Sequence, residues 1–222
     1  MDAVMLAASV EMRPGGLVLD AGCGPGGIFL CVLARVPGAR AVAVERDPAL
    51  AAMARENAAL NGWSERVEVV EADIADPTLP TRLPRCDAAV SNPPYWPGGS
   101  VPPAALRAGA THAGGIGLGS WASLLGASLA RGGRSTMILP AGRLEDGIAA
   151  LRGAGLGGVE ILPLWPRAGR AAGRVLLRAR RAPRAPGTLL PGLVLHEGAG
   201  WTREAEAILR GGELTWAGGS PG

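Results

Sequence analysis

Seven short, mainly apolar runs punctuate the chain, at residues 17–20, 41–44, 67–70, 86–90, 135–139, 159–165 and 174–179. Runs of this length, bounded mostly by glycine, proline or charge, predict buried strands. Between them the spacing becomes helical: Ile28, Cys31, Val32 and Arg35 recur three or four apart, as do Leu118, Trp121, Leu125 and Leu129. Asp47-Pro48 supplies a helix N-cap and first-turn residue, Asn61-Gly62 an end signal, and 144–151 a further short helix. Strand and helix alternate until the last two strands, which lie close enough across the turn 166–173 to form an antiparallel hairpin. The alternation predicts the α/β class. Residues 182–192, carrying Pro183, Pro186 and Pro191, read as a linking loop before a short strand at 193–196, a helix at 204–209 and a glycine-rich tail.

Charge adds an asymmetry. The formal net charge is +3, yet residues 1–100 hold 8 arginines against 12 acids while residues 101–222 hold 14 against 7. There is no lysine, and arginine favours planar, bidentate contact with phosphate. An anionic partner is therefore expected at the second half. Cys23, Cys31 and Cys86 form no CxxC and no Cys/His cluster, which argues against zinc, any other metal centre of that kind and a disulfide framework. Met1 to Val10 has no basic leader, and no apolar stretch approaches ~20 residues. A cytoplasmic protein that does not enter a membrane is expected.

Two stretches carry candidate chemistry. The first is Asp20-Ala21-Gly22-Cys23-Gly24-Pro25-Gly26-Gly27, between the first strand and the first helix. Glycines there let a ligand approach the backbone, and the helix start offers unpaired N–H groups. Gly22-x-Gly24-x-x-Gly27, with Glu45 closing the next strand, fits a dinucleotide site as well as other nucleoside cofactors, so an NAD dehydrogenase is one reading. Asp20 before the turn and Asp73 after the third strand make that edge acidic, which suits a cofactor with an amino group and a sulfonium better than a pyrophosphate. The second stretch is Ser91-Asn92-Pro93-Pro94-Tyr95, with Trp96 behind it, directly after the fourth strand. Two prolines end ladder pairing and stiffen the backbone. Asn92 offers an amide donor and acceptor but no proton to transfer. Such a turn is either strand-ending punctuation or a grip for a planar group bearing NH2.

Together the two stretches resemble class I S-adenosylmethionine-dependent methyltransferases. Residues 20–26 are similar to the family's first motif, and Asn92-Pro93-Pro94-Tyr95 to the fourth motif of the subset that methylates planar amino nitrogens. The resemblance implies a doubly wound, Rossmann-like sheet of seven strands with the last antiparallel, and S-adenosyl-L-methionine as cofactor. It implies that Gly22, Gly24 and Gly26 line the methionine part, with Asp20 under the amino acid end and Cys23 adjoining. Glu45 would hold the ribose, Arg46 would adjoin it, and Asp73 and Ile74 would meet the adenine. Asn92 and the Pro93 carbonyl would accept the hydrogens of the target amino group, Pro94 would stiffen the turn, and Tyr95 and Trp96 would give a stacking platform. A target in a nucleic acid would have to be unpaired or flipped out.

The second half refines the substrate. Residues 162–170, 174–178, 189–197 and 202–209 resemble bacterial tRNA adenine-N6 methyltransferases that act beside the anticodon of a valine tRNA. That family normally carries a further basic segment ahead of the position of Met1, so either a truncated start or an altered grip on substrate is expected. Seven arginines lie between 167 and 184 with no acid among them. Arg167, Arg170 and Arg174, at the presumed substrate edge, are the foremost candidates for RNA phosphate contact, against the alternative of a solvated charged face. His112 and His196 read as structural, and the tryptophans other than Trp96 as core. The resulting expectation is one methyltransferase domain, with residues 1–140 as the cofactor-binding core and 141–222 as a basic hairpin and tail, acting on adenine N6 in tRNA. Two alternatives stay open: a glutamine methyltransferase acting on a release factor, and a cofactor-binding module without turnover.

Overall fold

A computed structural model describes residues 1–94, 117–182 and 184–216. Its strands are β1 Leu17–Ala21, β2 Arg40–Glu45, β3 Val67–Glu71, β4 Cys86–Ser91, β5 Leu129–Pro140, β6 Gly157–Arg167, β7 Arg174–Arg180, β8 Thr188–Leu189, β9 Leu193–Glu197 and β10 Gly200–Trp201. Its α-helices are α1 Asp2–Ala8, α2 Gly27–Arg35, α3 Pro48–Leu60, α4 Leu79–Arg82, α5 Leu118–Ser128, α6 Leu144–Gly153 and α7 Arg203–Leu209. One sheet runs in the order β10-β9-β6-β7-β5-β4-β1-β2-β3, with β8 also on β6. β1 to β5 pair in parallel, and β7 enters antiparallel between β5 and β6.

The seven expected strands and the expected β6–β7 hairpin are present, but the sheet has ten strands rather than seven. β8 falls in the stretch read as a linking loop, and β10 has only two residues, too few for a periodic signal. β10 joins the sheet on β9, whereas β8 and β9 join it on β6. β6 is eleven residues long, and β8 and β9 share its outer edge, satisfying backbone groups that would otherwise be left open. Helix α1 gave no helical signal either, since its seven residues barely make two turns; Met5, Leu6, Ala7 and Ala8 are nonetheless buried. The run Arg131-Gly132-Gly133-Arg134 lies inside β5 as a bulge. The partner of Cys86 is Leu129, and that of Ala88 is Arg134. Gly133 lies so near β4 that a Cβ there would sit 2.9 Å from the Asp87 carbonyl oxygen.

Two apolar layers flank the sheet. On one face Met5, Phe29, Val32, Ala54 and Ile208 from α1, α2, α3 and α7 pack with Val18, Ala41, Ile138 and Leu195. On the other, Leu79, Leu125 and Leu151 from α4, α5 and α6 pack with Leu19, Val42, Ala89 and Met137. Residues 214–216 close over the first layer beside α1: Leu214 N donates to Ala8 O at 3.0 Å, and Trp216 Nε1 to Ser9 O at 2.8 Å. Beneath Trp216 lies Arg178, 4% exposed, its guanidinium 4.2 Å from the indole centroid. Arg178 donates to both Glu160 oxygens, at 2.8 and 2.9 Å, and pairs with Glu11 at 2.7 Å. Removing one member of such a pair leaves the other carboxylates uncompensated. Arg178→Ala is expected to lower stability by about 3 kcal/mol, read as an earlier urea midpoint at unchanged slope.

Candidate active site

Strand order reverses between β1 and β4: α2, after β1, packs on one face of the sheet, and α5, the next described helix after β4, packs on the other. In open α/β sheets ligands bind in the crevice outside the strand carboxyl ends at such a point. The register brings the two candidate stretches there together: Ala21, ahead of the glycine turn, pairs with Ser91, ahead of Asn92.

Asp20 sits on the same side of β1 as Val18, facing the start of α2. It is 0% exposed, and its Oδ2 accepts from the Phe29 N–H at 3.1 Å, capping the first turn of α2. Its Oδ1 is buried and has no hydrogen-bond partner among the described residues. Burial pushes the Asp20 carboxyl up to about 7, opposed by the Phe29 N–H and reinforced by the nearby Glu45 charge. Glu45 is 8% exposed and ties two segments together: Oε2 accepts from Gly24 N and Oε1 from Asp47 N, both at 2.9 Å. Each of its oxygens keeps a further lone pair.

The glycines have distinct duties. Gly22 (φ +68°) and Cys23 donate their N–H groups to Val44 O at 2.8 and 3.0 Å, and a Cβ on Gly22 would lie 2.5 Å from the Trp121 ring. Gly24 (φ +54°) has nothing within 4 Å of its Cβ position, so the turn is open there. Gly26 (φ +100°) precedes α2, where a Cβ would strike the Phe29 ring. Cys23 is buried, and burial followed by the charges of Asp20 and Glu45 drives its thiol far up, which makes it a filler and not a nucleophile. Two supports gave no sequence signal: Trp121 on α5 underlies Gly22, and Asn57 Nδ2 on α3 holds Pro25 O at 2.9 Å. Both act between residues far apart in sequence.

The remaining candidates spread along the same edge. Arg46 is exposed beside Glu45. Asp73 is exposed and accepts from Ala75 N at 2.8 Å, while Ile74 is 8% exposed and packs into the second apolar layer. Asn92 is half-buried, Pro93 buried and Pro94 exposed. Tyr95 and Trp96 lie outside the described residues, as does His112.

The arginine cluster does not form one surface. Because β7 runs antiparallel, Arg180, Arg181 and Arg184 fall at the edge of the sheet away from Asn92, and Arg178 is buried. Arg181 donates to the Gly126 and Ala127 carbonyls at the end of α5. Arg174 pairs with Asp2 at 2.8 Å, and Arg167 donates to the Gly198 carbonyl. Arg170, in the exposed β6–β7 turn, carries a side chain with no ion-pair partner among the described residues. Among those residues no three His, Cys, Asp or Glu side chains gather as a metal-holding group, and no helix is long and apolar enough to cross a membrane.

A carboxylate oxygen left without a partner among the described residues, a second acid on the adjacent strand, and an open glycine turn fit a cofactor that carries a cationic amino acid end and a ribose. Set at the switch point of a doubly wound sheet, these features define an S-adenosylmethionine-dependent methyltransferase. Residues 2–113 match the methyltransferase small domain family. A tRNA1(Val) (adenine(37)-N6)-methyltransferase of Aeromonas hydrophila is 34% identical over 181 residues, 81% of this chain and 75% of the relative. One of the same name from Dickeya chrysanthemi is 34% identical over 182 residues, 81% and 71% of the two chains. A crystal structure from Agrobacterium tumefaciens, described as a predicted O-methyltransferase, superposes with a TM-score of 0.80 at 27% identity, covering 97% of this chain and 98% of its own. The geranyl diphosphate C-methyltransferase of Streptomyces coelicolor, solved with S-adenosyl-L-homocysteine, shares the fold at a TM-score of 0.60 and 17% identity, over 81% and 79%. The chain belongs to the methyltransferase small domain family.

The buried Asp20 makes the free protein sensitive to pH. Folded, the carboxyl holds its proton to about 7; unfolded, it returns to its ordinary value of 3.8. The folded state thus binds more protons between these values, and stability falls as pH rises through that window and stays lower above it. Asp20→Asn keeps the acceptor for Phe29 N without a charge to bury. It is expected to raise the melting temperature of the cofactor-free protein by roughly 5 °C at pH 8 and by much less at pH 5, as read by scanning calorimetry.

Proposed function

We propose that this methyltransferase acts on an exocyclic amino nitrogen, N6 of an unpaired adenine in tRNA, in the cytoplasm where that RNA is found. The observation that carries the reading is the Asn92-Pro93-Pro94 turn, which leaves β4 beside the glycine turn at the switch point. The tRNA-modifying names of the relatives and the basic second half support the choice of RNA.

Bound S-adenosylmethionine supplies an electrophilic methyl group on a sulfonium and leaves as S-adenosylhomocysteine. In this reading the free Oδ1 of Asp20 receives the cofactor's ammonium, Glu45 uses its remaining lone pairs on the ribose hydroxyls, and Asp73 and Ile74 border the adenine. The glycine turn lets the backbone come close. The target nitrogen is a poor nucleophile because its lone pair is delocalised into the ring. The Asn92 side-chain oxygen and the Pro93 carbonyl accept its two hydrogens and turn the lone pair out of the ring plane, toward the methyl. Asn92 takes no proton, so the one displaced by methylation leaves to water. Orientation and fixed dipoles, not a general base, lower the barrier.

Transfer from labelled S-adenosylmethionine to unmodified tRNA, followed by nucleoside mass spectrometry, should yield N6-methyladenosine. Label on a hydroxyl oxygen, or only on a glutamine of a release factor offered in parallel, would overturn the reading. Asn92→Ala should lower kcat by about 100-fold or more while cofactor affinity stays within about twofold. Arg170→Ala should make the dependence of log affinity for tRNA on log salt shallower by about one unit.

A further inference from the structure

The sheet continues beyond the methyltransferase core, and one of its faces there is built from aromatic and basic side chains. β6 and β9 run parallel to β4, so their carboxyl ends lie at the edge that carries Asn92. Along β9, Leu193 and Leu195 are buried toward α7, so Val194 and His196 point to the opposite face. The register then aligns three strands. Arg167 of β6 is the partner of His196, and His196 is the partner of Trp201 of β10. Paired residues project from the same face, so Arg167, His196 and Trp201 form one row, with Trp165 and Val194 paired in the row behind.

This row is ordered and open. The His196 and Trp201 rings stack with centroids 4.1 Å apart at 27°. Trp201 is 40% exposed, and Arg167 is exposed while its Nη1 donates to Gly198 O in the β9–β10 turn. Trp201 therefore departs from the core role expected of it. An exposed indole braced by a second ring, with a guanidinium beside it, presents a flat apolar face and a positive charge at one spot. That is the chemistry that takes an unpaired base and its phosphate. Four strand spacings separate β9 from β4, about 19 Å, or about five or six stacked nucleotides of one strand.

We propose that Arg167, His196 and Trp201 form a second nucleotide-binding platform, which stacks an unpaired base of the substrate RNA flanking the target and sets Arg167 on the adjoining phosphate. The platform rests on the reading of RNA as substrate. It makes the β9–β10 hairpin a determinant of which RNA is accepted, separate from the Asn92 turn that grips the target.

Fluorescence anisotropy with unmodified tRNA and with a 12-nucleotide single-stranded RNA tests it. Trp201→Ala should weaken binding of both about tenfold and raise KM for tRNA to match, with the affinity for S-adenosylmethionine and the melting temperature unchanged. Trp201→Phe, which restores a ring, should recover most of the loss. His196→Ala should move binding in the same direction by less. If the wild type methylates tRNA and Trp201→Ala binds it equally well, the platform is wrong while the assigned substrate stands. If the wild type binds no RNA but methylates a protein, and Trp201→Ala weakens that protein's binding, both the platform and the RNA reading fall.

Discussion

A carboxylate sealed from water beneath the first glycine turn governs the site. Burying Asp20 is unfavourable, and among the described residues only one of its oxygens is answered, by the Phe29 N–H. That single bond fixes where α2 begins. Glu45, one strand over, holds the other side of the turn through Gly24 N and reaches Asp47 N, the cap of α3. Two acids thus anchor two helices and the turn between them, while their mutual repulsion raises the Asp20 carboxyl further. We read the unanswered oxygen as the place where a cation completes the structure: the free protein stores an electrostatic cost there that cofactor binding relieves.

The turn itself tolerates little change. Gly22 packs against Trp121 of α5, so the glycine turn is joined through that contact to the layer of helices on the other face. The indole that supports the glycine turn sits on α5, the next described helix after Asn92.

The sequence made the local parts of this arrangement legible. Asp20, the glycines and Glu45 were visible because a strand, a tight turn and a helix follow one another within a few residues, and each leaves a compositional trace. The alternating strands and helices, the Asp47 cap and the β6–β7 hairpin were readable for the same reason. Contacts set by the closed sheet were not readable. Trp121 under Gly22 and Asn57 on Pro25 join residues far apart in the chain, and two-residue strands such as β8 and β10 carry no period. The seven arginines show the limit most clearly. They look continuous in sequence, but an antiparallel strand sends them to opposite edges and buries Arg178 in an ionic core. The same extension that dispersed them assembled Arg167, His196 and Trp201 from three strands.

Calorimetric titration of S-adenosylmethionine into the wild type and Asp20→Asn at pH 6 and pH 7.5 tests the central role given to Asp20 most directly. With Asp20 titrating at about 7, its ionised fraction rises roughly eightfold between those values, and wild-type affinity should rise by a comparable factor. The variant should bind more weakly at pH 7.5 and lose that dependence. Equal affinity for the two proteins, or the same pH dependence in both, would contradict the assignment of the buried carboxylate to the cofactor.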